Sequence, residues 1–89
     1  MINSQLLIIN KLGLHARAAS KLVTTASAFS SAIRIGHNDN MVDAKSIMAV
    51  MMLAACKGTE LQLEVEGDDQ QAASDAIHDL IRRRFDEPE

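Results

Sequence analysis

One short stretch holds the residues whose types and spacing could do chemistry. From Asn10 to Lys21 the chain reads N-K-L-G-L-H-A-R-A-A-S-K. Gly13 marks a turn, and an apolar period then begins, with Ala16, Ala19, Leu22, Val23, Ala26 and Phe29 at helical spacing. That places His15 at a helix start, where backbone N–H groups lack intrahelical partners and the positive end of the macrodipole favours negative charge. A neutral imidazole there can attack phosphorus, and the phosphoramidate it forms stays reactive enough to be passed on. The N–H groups of Ala16 and Arg17, with the Arg17 guanidinium, would meet the charge of that group. Taken by itself, a lone histidine in this position also fits a simple helix cap.

The elements that must position this stretch can be read from hydrophobic period. Ser4 to Ile9 is rich in Leu and Ile and reads as a buried strand, followed by a helix from about Ala16 to Ala28. Ala32 to Gly36 alternates as a half-buried strand. Gly36 to Asn40 is a turn containing His37, and Met41 to Asp43 returns as a short strand of a hairpin. Glu60 to Glu66, E-L-Q-L-E-V-E, alternates without a fault and presents Leu61, Leu63 and Val65 to a core. A last helix buries Ala73, Ala76, Ile77, Leu80 and Ile81, with Asp68 and Asp69 at its start and Arg82 to Arg84 at its solvated end, both matched to the macrodipole. The order is βαββαβα. Four strands and three helices with single apolar faces satisfy one another as an α/β open-faced sandwich, helices on one side of an antiparallel sheet.

A second segment, Asp43 to Gly58, reads D-A-K-S-I-M-A-V-M-M-L-A-A-C-K-G. Ser46 suits an N-cap and Gly58 the left-handed residue past a helix end, with a short helix between them. This helix is apolar nearly all round. If Val50, Leu53 and Ala54 face inward, then Ile47, Met48, Met51 and Met52 cannot all be buried, and a Met-rich exposed patch fits a partner surface better than a loose core.

Composition closes off most other functions. The 89 residues are read as one domain, 1–89, too small for a deep enclosed catalytic cleft. A net charge of −3, with two Phe and neither Trp nor Tyr, gives no basic or stacking surface for nucleic acid. Cys56 is the only cysteine, which points to a reducing, cytoplasmic setting. The N-terminus has no signal-peptide pattern, and the longest apolar run, Ile47 to Cys56, is far shorter than the ~20 residues of a bilayer span. His15, His37 and His78 show no metal-ligand spacing, no serine or cysteine stands in a recognisable triad, and no glycine-rich loop could hold a nucleotide. His37 and His78 read as surface residues. Neither a metal nor a cofactor is expected.

The two quoted segments together resemble the HPr family, the histidine phosphocarriers of the phosphoenolpyruvate-dependent phosphotransferase system. The first is similar to that family's phosphorylation-site motif and the second to its other signature, at the family's separation. The match in element order runs from Asn3 to Asp86. The resemblance implies a carrier rather than a stand-alone enzyme. His15 would take a phosphoryl group from Enzyme I, on the ring nitrogen nearer the backbone, and pass it to a IIA protein or domain, with Arg17 as electrostatic partner. It makes Leu14, Ile47, Met48, Met51 and Met52 the docking face. It also makes Ser46 a candidate for regulatory phosphorylation by an HPr kinase/phosphorylase, where the residue types alone suggest a cap. The family usually has proline where this chain has Ala18. Alanine restores an N–H and relaxes the helix start, so transfer is expected to survive with its rate or the phosphohistidine lifetime altered. The competing reading is a small interaction module that uses the Ile47/Met48/Met51/Met52 patch and never carries phosphate. A small-molecule-binding regulatory domain would need a ligand pocket that the sequence does not suggest.

Overall fold

The computed structural model describes residues 1–37 and 39–88. The order is β1 (Ile2–Leu7), α1 (Ala16–Ser27), β2 (Ala32–His37), β3 (Asn40–Asp43), α2 (Ile47–Met52), β4 (Glu60–Glu66) and α3 (Gln70–Arg82). The strands form one antiparallel sheet ordered β1-β4-β2-β3. Because side chains alternate across a strand, the register pairs core residues with core residues: Ile33 with Val65, Ile35 with Leu63, Leu6 with Leu61. All six are buried under the helices. The opposite face is polar, with Gln5 beside Gln62 and Arg34 paired to Glu64 at 3.3 Å. The open-faced sandwich expected from the apolar pattern is the observed architecture.

The helical stripes pack as their period dictates, with one shift. In α1 the buried residues are Ala18, Ala19, Leu22 and Ala26, while Ala16 is exposed. In α3, Ala73, Ile77, Leu80 and Ile81 are buried and Ala76 is half-buried. His78 is half-buried, its Nε2 2.8 Å from Ser4 Oγ on β1, and so is less of a surface residue than expected. β1 is not a wholly buried strand either: Asn3, Gln5 and Leu7 are exposed, because the sheet's outer face is uncovered. Gly36, His37 and Asn40 belong to the β2–β3 ladder, so the expected turn over 36–40 narrows to its tip, where Asn38 lies outside the described residues.

The start of α3 departs further from the macrodipole reading. Asp69 is its N-cap residue but makes no side-chain capping bond. Its carboxylate instead accepts from the Ser31 hydroxyl and from the backbone N–H groups of Ser30 and Ser31, both at 2.9 Å, clasping the turn before β2. The Ser31 hydroxyl bond is the main cause that lowers the Asp69 carboxyl from 3.8 to about 2. A carboxyl depressed in the folded state contributes stability above its unfolded value and loses it as pH falls through the folded one. Acid unfolding followed by circular dichroism should therefore show a decline between about pH 4 and pH 2 that Asp69→Asn removes, at the cost of lower stability near neutral pH.

After α3 the chain makes a turn that the sequence did not suggest. Arg84, Phe85 and Asp86 all have positive φ, 57°, 54° and 63°. Asp86 N–H donates to Arg83 O at 3.0 Å and Glu87 N–H to Arg84 O at 2.9 Å, which makes one turn of left-handed 3₁₀ type. Phe85 is fully buried within it. Arg84 thus belongs to this turn rather than to the helix end, while Arg83 pairs with both Asp79 and Asp86 at 2.9 Å.

Candidate functional site

The site is assembled by the loop between β1 and α1. Asn10 is completely buried, and its Nδ2 donates to Gly13 O at 2.9 Å while Gly13 N–H returns to Asn10 O at 3.3 Å. This closed turn aims the chain into the helix. Leu14 N–H then donates to Ala55 O at 2.9 Å, tying the loop to the segment that follows α2. Gly13 makes the approach possible. It has φ +66°, and a Cβ there would lie 2.4 Å from Ala55 O and 2.7 Å from Cys56 Cα, both backbone atoms. Gly13→Ala should cost about 2 kcal/mol from left-handed strain and the forced displacement of that segment, read as a lower urea midpoint with an unchanged m-value.

His15 is the N-cap residue of α1, with φ −73° and ψ 177°, and its side chain makes no capping bond. The first intrahelical bond is Ala19 N–H to His15 O at 2.8 Å. Helix geometry therefore leaves the N–H groups of Ala16, Arg17 and Ala18 without intrahelical acceptors. The imidazole is 29% exposed. Its Nε2 contacts Glu87 Oε2, brought there from 72 residues further along the chain by the left-handed turn. Nδ1 has no side-chain partner among the described residues.

Glu87 is held from beneath as well. Asn10 Nδ2 donates to Glu87 Oε1 at 2.9 Å, so one buried amide fixes both the Gly13 turn and the carboxylate. Burial pushes the Glu87 carboxyl up, but the Asn10 bond, the His15 bond and the charges of His15 and Arg17 together hold it below its ordinary value. Leu12, His15, Arg17, Glu87 and Pro88 border an open cleft of about 730 Å³. The exposed Arg17 thus stands in the same cleft as His15.

The other expected site residues fall in two places. Ser46 is the N-cap of α2, its Oγ accepting from Ala49 N–H at 3.4 Å. Ile47, Met48, Met51 and Met52 are exposed at 40%, 67%, 40% and 79%, too many and too contiguous to be core filling. Two readings of this segment need correction. Leu14 is in the core at 4% exposure, so it anchors the loop and cannot form a docking contact; the exposed apolar residue of that loop is Leu12. Gly58 does not end α2, which stops at Met52; Ala54, with φ 51°, is the left-handed residue beyond it, and it is exposed while Ala55 is buried.

Sequence reasoning missed Asn10 as a site residue and Glu87 altogether. Asn10 carried only a turn signal, and its internal bonds are what make it structural. Glu87 carries no periodic signal at all, since it reaches His15 only through a tertiary turn.

Comparison with known proteins agrees with this geometry. Residues 2–83 match the family model described as the PTS HPr component phosphorylation site. The chain is 55% identical over 86 residues to phosphocarrier protein HPr of Pseudomonas aeruginosa, covering 96% of each. It is 51% identical over 89 residues to phosphocarrier protein HPr of Neisseria meningitidis, covering the whole of both. Among solved structures it is similar to HPr-C-His from Thermoanaerobacter tengcongensis, at a TM-score of 0.95 and 44% identity over both full chains. A family model over most of the chain, full-length relatives and a superimposable fold all agree, and the chain belongs to the HPr family of phosphocarriers of the phosphotransferase system.

Proposed function

We propose that His15 is the phosphoryl-accepting residue of this carrier and that Nδ1, the ring nitrogen nearer the backbone, forms the bond to phosphorus. The observation that carries this reading is the division of the imidazole on the N-cap residue of α1: Nε2 is committed to Glu87, while Nδ1 has no side-chain partner among the described residues. The Nδ1 lone pair attacks the phosphorus of phosphorylated Enzyme I, and the bond to the donor breaks with its electron pair returning to the donor. The arriving oxygens lie at the positive end of a twelve-residue helix, with the N–H groups of Ala16 and Arg17 as donors and the Arg17 guanidinium as counter-charge. Transfer to a IIA protein is the same step in reverse toward a new acceptor. The protein acts here as a cytoplasmic intermediate and not as a catalyst turning over alone.

Ile47, Met48, Met51 and Met52 form the docking surface for both partners. α2 packs against α1, and the His15 loop is bonded to the segment after α2, which supports reading the reacting group and the patch as parts of one surface. Flexible thioethers suit a surface that must fit two different proteins. Ser46 borders that patch, and an HPr kinase/phosphorylase would set about two negative charges there. Ser46→Asp should keep the fold, since aspartate caps a helix well, and lower phosphoryl acceptance from Enzyme I about tenfold through a higher KM. An unchanged KM would remove the electrostatic basis for regulation at Ser46.

The test is intact-mass measurement after mixing the protein with phosphoenolpyruvate and Enzyme I, followed by mild acid and peptide mapping. One acid-labile phosphoryl group on the peptide containing His15 is expected. No uptake by a folded protein with active Enzyme I would instead leave an interaction module that uses the methionine patch.

A further inference from the structure

The imidazole of His15 is held by a carboxylate that is itself half-buried and hydrogen-bonded. We propose that Glu87 is a positioning residue for phosphoryl transfer, keeping one proton on Nε2 of His15 through the whole carrier cycle and compensating the positive charge the ring acquires while phosphorylated. The inference rests on His15 being the acceptor.

Three observations support it. Glu87 Oε2 contacts Nε2, so the proton of a neutral imidazole is drawn to that nitrogen and the lone pair is left on Nδ1. Glu87 Oε1 is fixed by Asn10 Nδ2 at 2.9 Å, and Asn10 is buried and bonded to Gly13, so the carboxylate is preorganised by the same turn that places His15. The carboxylate also persists as an anion, because burial, which pushes it up, is outweighed by the hydrogen bonds from Asn10 and His15 and by the charge of Arg17. The charged groups around it are His15 and Arg17 on α1 and Lys11 in the preceding loop, with Lys21 engaging the adjacent Asp86 at 3.3 Å.

The step balances without a proton leaving the site. When Nδ1 bonds to phosphorus with Nε2–H retained, the ring becomes an N-phosphoimidazolium, and its positive charge lies against the Glu87 carboxylate. When the N–P bond breaks toward the next acceptor, its electron pair returns to Nδ1 and neutral imidazole departs, still protonated on Nε2. An N-phosphoimidazole that had lost this proton would be a poorer donor, because its leaving group would be an imidazolate. The pairing of carboxylate with ring therefore favours both loading and unloading.

The arrangement makes a prediction that a purely structural role for Glu87 does not. In the phosphorylated protein, the pH midpoint for loss of the Nε2 proton, followed by nitrogen NMR of ring-labelled histidine, should fall by about one unit in Glu87→Gln and Glu87→Ala. Phosphoryl uptake from Enzyme I at neutral pH should fall about tenfold in both, and the pH profile of phosphoryl loss should move with the midpoint. Thermal unfolding of both variants should show that the fold is retained. An unchanged midpoint in variants that still take up phosphate would overturn the role of Glu87 and leave His15 as the acceptor. Failure of the unaltered protein to take up phosphate would overturn both. A ring proton found on Nδ1 of the unphosphorylated protein would also contradict the proposal.

Discussion

His15→Ala should take up no phosphoryl group and drop phosphoryl delivery to a IIA protein in a reconstituted transfer chain by at least about a thousandfold. The loss is this large because the variant removes the bond-forming atom itself, and binding cannot replace a missing covalent intermediate. No other imidazole is placed to take over. His37 ends β2 on the hairpin, and His78 Nε2 is engaged with Ser4. The fold should hardly change. The His15 side chain is 29% exposed and makes no cap bond, so its removal loses only the bond to Glu87 and should cost about 1 kcal/mol. Stability by denaturant and transfer by coupled assay therefore separate cleanly. A variant that unfolds, or one that still transfers, would contradict the site described above.

Phe85→Ala should lower stability by about 3 kcal/mol. Phe85 is fully buried among the core residues while sitting at φ 54°. Removing a buried phenyl ring costs about 3–5 kcal/mol. Part of that is offset, because three successive left-handed residues carry strain of about 1–2 kcal/mol each that the released segment no longer bears. The ring is the anchor that keeps the left-handed turn closed and so holds Glu87 against His15. A fall in transfer rate should accompany the fall in urea midpoint. If stability fell while uptake of phosphate by the remaining folded protein was untouched, the link from Phe85 through Glu87 to His15 would be broken.

The legible and illegible parts of this molecule divide by the range of the interaction that sets them. β4 is found at Glu60–Glu66 as its alternation predicted, because cross-strand burial selects every second residue and nothing in the neighbourhood competes. The start of α1 at His15 was legible because a turn glycine precedes an apolar period. The end of α2 was not: six residues with an apolar surface all round give no stripe to follow, and an alanine in the left-handed region leaves no glycine as a marker. Leu14 was expected on the docking face from the family resemblance alone, yet its backbone N–H bonds Ala55 O and its side chain is buried in the core. Asp69 carries the composition of a helix start, but two serines 38 and 39 residues earlier claim its carboxylate. Glu87 depends on a turn of unfavourable local conformation held by one buried ring, and nothing local in the sequence marks such a turn. The helix start at His15 was therefore written in a local motif, while the carboxylate that holds its imidazole was set by the tertiary fold.

Phosphorus NMR combined with long-range proton–nitrogen spectra of the phosphorylated protein reads directly which atom carries the phosphoryl group. The predicted result is one phosphorus signal coupled to Nδ1 of His15, with the ring proton on Nε2. A phosphoryl group on Nε2, on another histidine or on Ser46 after reaction with Enzyme I would contradict it.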